Sequence, residues 1–441
     1  MRERNIRRDM CASKADGAAF SVMVGAGETY LPAFTLAVGL GQVFAGLVAT
    51  IPMLAGAILQ LLAPRIIRVV GSHRRWVILC AAFQGLAFLP LCIAAYVGRV
   101  PWYVLFLIAT IYWGAGMGAG PAWNTWMGRA IPRALRPSFF ARRTRIAQMS
   151  VLSGLLIGGL TLRLTGLRGD VLGGFAILFG IACCARIVST IFLARQSEPE
   201  VAAHTDERVS LIHFANQLRR PEGHLLLYML FAQLTTQLAA PFFSPYMLGQ
   251  IKLSYTIYIL LLGTAFLAKA ATLSIMAKWG GRIGAKTVLW IGGIGIIPLP
   301  ALWLFSTSPL YLMGLQMLSG AMWACYEYAT LLLLFETIRD EQRTAILTSY
   351  NLMNSLSIAT GSVVGGLILR GVGPGAQGYL LLFLISSVCR LCVVPLMWRV
   401  GAAPRRLMTM WMRPLAVRPS AGSVERPIVA AMDGDSDVEA L

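Results

Sequence analysis

The chain has 441 residues, of which 57% are hydrophobic and only 13% charged, about half the charged share of a typical soluble domain. That balance excludes a single soluble core, because so much apolar surface has nowhere to hide in water; lipid as solvent removes the difficulty. The net charge of +19 does not mark a nucleic-acid binder, since the basic residues sit in short segments between long apolar runs rather than on one basic face.

Apolar runs occur near 18–40, 43–64, 76–97, 102–128, 146–165, 172–194, 224–247, 255–277, 287–305, 310–334, 346–369 and 378–400. Each is long enough for a helix that crosses a bilayer, which needs about 20 apolar residues. The segment 195–223 separates six runs from six. This predicts an N-terminal segment 1–17, a bundle 18–194, a central loop 195–223, a second bundle 224–400 and a tail 401–441. Within the central loop, 209–220 alternates apolar and polar faces at helical spacing and reads as a surface helix. The tail is basic first (Arg405, Arg406, Arg413) and acidic last (Asp433, Asp435, Asp437, Glu439), and its end is expected to be disordered.

Lys and Arg set the orientation. With the N-terminus inside, 30 of the 38 fall in cytoplasmic segments, 5 in the opposite loops and 3 within runs. The positive-inside rule then places both termini in the cytoplasm. The basic start leads into the first run without a small-residue cleavage site, so no cleavable signal peptide is expected. Seven of the eight cysteines lie in apolar runs as small hydrophobic residues. His73, His204, His213 and His224 show no metal spacing, so no metal or cofactor is expected. No Walker loop or nucleophile constellation is present, which argues against ATP-driven transport and against an enzyme.

The halves are related. Residues 150–166 (SVLSGLLIGGLTLRLTG) and 357–373 (SIATGSVVGGLILRGVG) share eight of seventeen positions without a gap. The identities include Gly154/Gly361, Gly158/Gly365, Gly159/Gly366 and Arg163/Arg370. Arg186 aligns with Arg390 and Arg195 with Arg399. Glu28, Pro32 and Phe34 align with Gln237, Pro241 and Phe243. Duplicated six-helix halves with a site between them are a common plan for secondary transporters. Glycines four apart put small residues on one face, where a neighbouring backbone can approach closely.

The two halves of six, the long central loop, and the short basic loops after the second and eighth runs resemble the major facilitator superfamily over about residues 17–400. The superfamily's loop signature is met in part by Gly71, His73, Arg74 and Arg75 at 64–75, and by Arg282, Gly284 and Lys286 at 277–286. Both copies lack the acidic residue: Arg68 and Gly281 stand in its place. The sequence PAWNTWM at 121–127, with Pro132, Arg136 and FFARR at 139–143, is similar to a bacterial branch. The resemblance implies an all-α membrane protein of twelve transmembrane helices in two pseudo-symmetric bundles, in a bacterial cytoplasmic membrane. It also implies a central cavity lined by the first, fourth, seventh and tenth helices.

Five charges lie within runs, and together they would cost about 10–15 kcal/mol if uncompensated. Glu28 shares a small, polar face with Ser21, Gly25, Pro32 and Thr35. It reads either as a proton carrier or substrate ligand, or as a carboxylate paired with a neighbour such as Arg186. Glu327 shares a face with Gln316, Gly320, Trp323 and Thr330. Lys269 lies at similar depth, and in the superfamily their helices are neighbours, so an ion pair is expected, as a clamp or a switch. Further cavity candidates are Trp113 and Asn124, Gln233 and Gln237, and Asn351 and Asn354. Arg186 and Arg390 belong to helices that are peripheral in the superfamily and read as structural charges. Arg129, Arg133, Arg136, Arg142, Arg143 and Arg145 form a basic run suited to anionic lipid.

The expectation is a secondary transporter of a small organic solute, working by alternating access and coupled to protons through Glu28 and Glu327. It would act as a monomer in contact with lipid and without nucleic acid. A second class stays open: a non-transporting sensor or assembly factor, marked by a cavity blocked with large apolar side chains.

Overall fold

The structure, a computed structural model, describes residues 2–60, 62–132, 135–198, 218, 223–337 and 340–401. Apart from residue 218, the surface helix expected at 209–220 lies outside the described residues, as does the tail beyond 401. All regular structure among the described residues is helical.

Eleven helices are long and apolar enough to cross a membrane, from Gln42–Gln60 to Ala376–Arg399. They coincide with the second to twelfth apolar runs. The first run does not meet the same measure, because Gly27, Glu28 and Pro32 interrupt it. It is nevertheless part of the bundle: Arg2–Ala26, the short turn Glu28–Tyr30 and Leu31–Ala37 follow one another and pack on the fifth and sixth spans. The helix begins at Arg2, so the boundary expected at 17/18 falls inside it. One of its faces (Asp9, Ala12, Ser13, Asp16) is buried while Arg7, Arg8 and Cys11 are exposed.

The break in the first span has a cause. Pro32 has no N–H to donate and its ring clashes with the preceding turn. The seventh span breaks at the matching place, where Pro241 sits in the turn Ala240–Phe242 after the helix His224–Gln237. Broken helices are tolerated at this depth because packing and local turns satisfy the freed backbone groups.

Packing repeats the sequence duplication. The first span lies on the fifth and sixth, and the seventh on the eleventh and twelfth. The second lies on the fourth, and the eighth on the tenth. A Cβ on Gly154 would come within 2.6 Å of the Val22 carbonyl and 3.1 Å of the Gly25 Cα, so the first and fifth backbones touch. Gly361 meets Leu234 and Gln237 of the seventh span in the same way, and Gly365 meets Leu238 and Phe242. The aligned glycines are therefore the contacts that fix each bundle. The halves meet where the fifth span packs on the eighth and the second on the eleventh.

Candidate functional site

Glu28 opens the turn Glu28–Tyr30 at the break of the first span and is 8% exposed. A side chain on Gly27 would strike the Phe88 ring and Ala182, so only glycine lets the turn sit this close to the third and sixth spans. The fourth span supplies the partner: Tyr112 Oη donates to Glu28 Oε2 at 2.6 Å. Phe88 holds the Tyr112 ring edge-on, with centroids 5.3 Å apart. Two residues on, Tyr30 Oη donates to the Leu155 carbonyl at 2.6 Å, over the space left by Gly158. The carboxylate thus sits in a packed, rigid frame and accepts a hydrogen bond from the neighbouring fourth span.

In the second half, Lys269 Nζ donates to Glu327 Oε1 at 2.5 Å. The side chains are 5% and 12% exposed. Gly320 makes the pair reachable, since a Cβ there would meet the Ala265 carbonyl at 2.3 Å and the Lys269 nitrogen at 3.0 Å, so its lack of a side chain lets the eighth and tenth spans come together. The two carboxylates are therefore held differently, Glu28 by the Tyr112 hydroxyl and Glu327 by the Lys269 ammonium.

The other candidates are spread along the same helices. Trp113 is buried and packs edge-on against Tyr112, with centroids 5.7 Å apart. Trp323 is half-buried and meets Tyr326 edge-on. Gln237 is fully buried beside Gly361. Asn354 is 8% exposed, and its Oδ1 finds no donor among the described residues. Gln233 is half-buried and its Nε2 is likewise without an acceptor. Asn124, Gln316 and Asn351 are half-buried. Thr35 is fully buried and returns its hydroxyl to the Leu31 carbonyl at 2.8 Å, so its polarity is spent inside its own helix.

The hydrogen bond that Arg186 donates goes to a partner other than Glu28. Its Nη1 donates to Ser189 Oγ at 2.7 Å, and Ser189 Oγ donates to Asp16 Oδ1 at 2.7 Å. Arg143 Nη2 donates to Asp16 Oδ2 at 3.0 Å and its guanidinium lies 4.2 Å over the Trp123 ring. Arg390, the mate of Arg186, instead donates Nη1 to the Ile296 carbonyl at 2.6 Å, at the break in the ninth span. A small cavity beside it is lined by Tyr228, Thr235, Gly293 and Arg390, away from both carboxylates.

Three participants were missed from sequence. Tyr112 looked like another aromatic in an apolar run. Asp16 was assigned to a basic tail, although Asp9, Ser13, Asp16 and Phe20 recur at helical spacing and could have revealed a buried face. Glu198, past the end of the sixth span, brings a carboxylate to the loop at 64–75: its Oε2 accepts from Ser72 Oγ at 2.5 Å and its Oε1 from the Arg74 N–H at 3.2 Å.

The description "Major Facilitator Superfamily" belongs to the family whose sequence profile matches residues 225–408. No curated protein matches the chain. Among solved structures, a mutant of the nucleoside transporter NupG is similar with a TM-score of 0.69 and 13% identity, covering 89% of this chain and 100% of that one. The transporter FucP in an outward conformation gives 0.55 and 14%, covering 88% and 98%. A bacterial homologue of the human lysosomal transporter Spinster, inward-facing and unoccupied, gives 0.54 and 14%, covering 90% and 94%. With residues 225–408 matched by that family's profile and the helices laid out as in these solved structures, the chain is a multi-pass membrane protein with the major facilitator fold.

Proposed function

We propose that this protein is a secondary active transporter that moves a small, uncharged, hydrogen-bonding organic solute by alternating access, with protons as the driving ion. The observation that carries the reading is Glu28, a buried carboxylate held by Tyr112 at a break in the first span. An intramembrane ionisable group marks an ion or substrate pathway by default. Protonation would cancel the charge and weaken the Tyr112 hydrogen bond, which gives a proton a way to bias the turn between two arrangements. The Lys269–Glu327 pair adds a second charged contact, between the eighth and tenth spans, that protonation of Glu327 would loosen.

Amides (Gln233, Gln237, Gln316, Asn351, Asn354) and indoles (Trp113, Trp323) on the seventh, tenth, eleventh and fourth spans suit a flat, polar, neutral solute. Because the overall fold is similar to that of a nucleoside transporter, nucleosides are the first class to try. The arginine-rich face is read as cytoplasmic, with both termini there, in the inner membrane of a bacterium. The single chain is read as the working unit.

The test is a thermal-stability screen of the purified protein with nucleosides, sugars and amphiphilic amines, followed by uptake of each hit into proteoliposomes under an imposed pH gradient. The reading expects one class to stabilise the protein and to accumulate only with the gradient. Stabilisation without uptake would favour a non-transporting sensor.

A further inference from the structure

The twelfth span carries a cation that the transport reading does not use. Arg390 is 6% exposed and lies about 14 Å of helix in from the end of its span at Arg399. Its Nη1 donates to the Ile296 carbonyl at 2.6 Å, while its Nε has no acceptor among the described residues. No carboxylate among them forms an ion pair with it. A carbonyl offers a dipole rather than a counter-charge, and a buried charge without its opposite is costly. Beside the guanidinium lies a cavity of about 10 Å³, room for one water-sized guest. Tyr228, Thr235, Gly293, Val393 and Met397 are among its walls. A Cβ on Gly293 would meet Tyr228 Oη and Met397 Cε at 2.7 Å each, so the glycine lets the phenol and the thioether close in. The Thr235 hydroxyl donates to the Phe231 and Ala232 carbonyls of its own helix. The donors left at the cavity are the Arg390 N–H and the Tyr228 O–H.

The first half shows what such an arginine requires. Arg186, the mate of Arg390, reaches the Asp16 carboxylate through Ser189, with both links at 2.7 Å. By the same alignment Asp16 corresponds to Leu225 and Ser189 to Val393. Val393 is itself a wall of the cavity. The second half thus keeps the arginine, lacks the acid, and has a cavity against the residue that replaces the bridging serine. We propose that this cavity is a site for one small monovalent anion, a halide such as chloride, which does for Arg390 what the Asp16 carboxylate does for Arg186. Its size excludes phosphate, sulfate and organic carboxylates, because the space takes a single atom. A water fits the space but brings no charge. The anion ties the twelfth span to the seventh and ninth, through Arg390, Tyr228 and Gly293, and acts on the packing of the second half rather than on the solute.

The site can be tested without knowing the solute or the coupling ion. The measurement is the thermal stability of the purified full chain in sodium gluconate and in sodium chloride at equal ionic strength. Saturating chloride is expected to raise the melting temperature by about 2–5 °C, with a saturable dependence on concentration. Arg390→Gln should melt at the same temperature in both salts. If Arg390→Gln does not fold, Leu225→Asp with Val393→Ser rebuilds the acid and the serine of the first half, and its melting temperature should no longer respond to chloride. Crystals grown in sodium bromide should show an anomalous peak between the Arg390 guanidinium and the Tyr228 hydroxyl. Equal melting of the wild type in the two salts, a chloride response that survives in Arg390→Gln or in the rebuilt variant, or bromide crystals without that peak would overturn the proposal and leave the cavity to a water.

Discussion

The Tyr112 hydroxyl donates to Glu28 Oε2 at 2.6 Å and so ties the broken middle of the first span to the fourth. The bond is buried on both sides, and the Tyr112 ring is in turn fixed by Phe88.

Tyr112→Phe removes that donor and leaves the ring packing in place. Stability should fall by about 1.5–3 kcal/mol, the range for a hydrogen bond to a charged group. Thermal denaturation in detergent reads the loss, and an unmoved melting temperature would show that the bond adds nothing to the packing of the first span on the fourth.

The Lys269–Glu327 pair separates clamp from switch. Lys269→Met or Glu327→Gln alone leaves a charge buried without its partner and should cost about 3–5 kcal/mol. The double variant removes both charges and should recover most of that loss. If the pair breaks during the cycle, the double variant folds but transports at a small fraction of the wild-type rate. Near-normal transport by the double variant would make the pair a static clamp.

Close helix approaches give a purely structural prediction. Gly154→Val should abolish the well-folded protein, because its Cβ alone would meet the Val22 carbonyl at 2.6 Å. Gly180→Ala has open space around it and should change the melting temperature little. Size-exclusion profiles and thermal scans of both proteins check the contrast. Equal damage from both would mean that the aligned glycines do not set the packing of the first and fifth spans.

A contact between the halves predicts how they move. Tyr379 Oη donates to Gln42 Oε1 at 2.7 Å, joining the twelfth span to the second at the arginine-poor face. If the halves rock about a central site, this contact must open on each cycle. Gln42→Cys with Tyr379→Cys, bridged by a reducible bifunctional thiol reagent long enough to replace the two side chains, should therefore lose at least about ten-fold in transport, with recovery on reduction. Full activity in the cross-linked state would show that this face does not open.

The helices and the duplication were legible because hydropathy and repeated Gly and Arg positions are local signals. The second to twelfth apolar runs match helices in the structure almost end for end. Glu28, Lys269 and Glu327 stood out as charges in apolar runs. Asp16 did not, because it lies among arginines, and a hydropathy pattern cannot distinguish a solvated acid from one buried on a helix face. Tyr112 and Glu198 were hidden for another reason: each matters through a partner 84 and 126 residues away, and such pairings come from the packing of helices rather than from spacing along one.

The most direct test of the central claim is solute uptake by proteoliposomes of wild type and Glu28→Gln, with and without an inward proton gradient. The account predicts gradient-driven accumulation by wild type. It predicts that Glu28→Gln equilibrates the solute but no longer accumulates it, whatever the gradient. Accumulation by Glu28→Gln at the wild-type level would contradict the proposal that Glu28 carries the coupling proton.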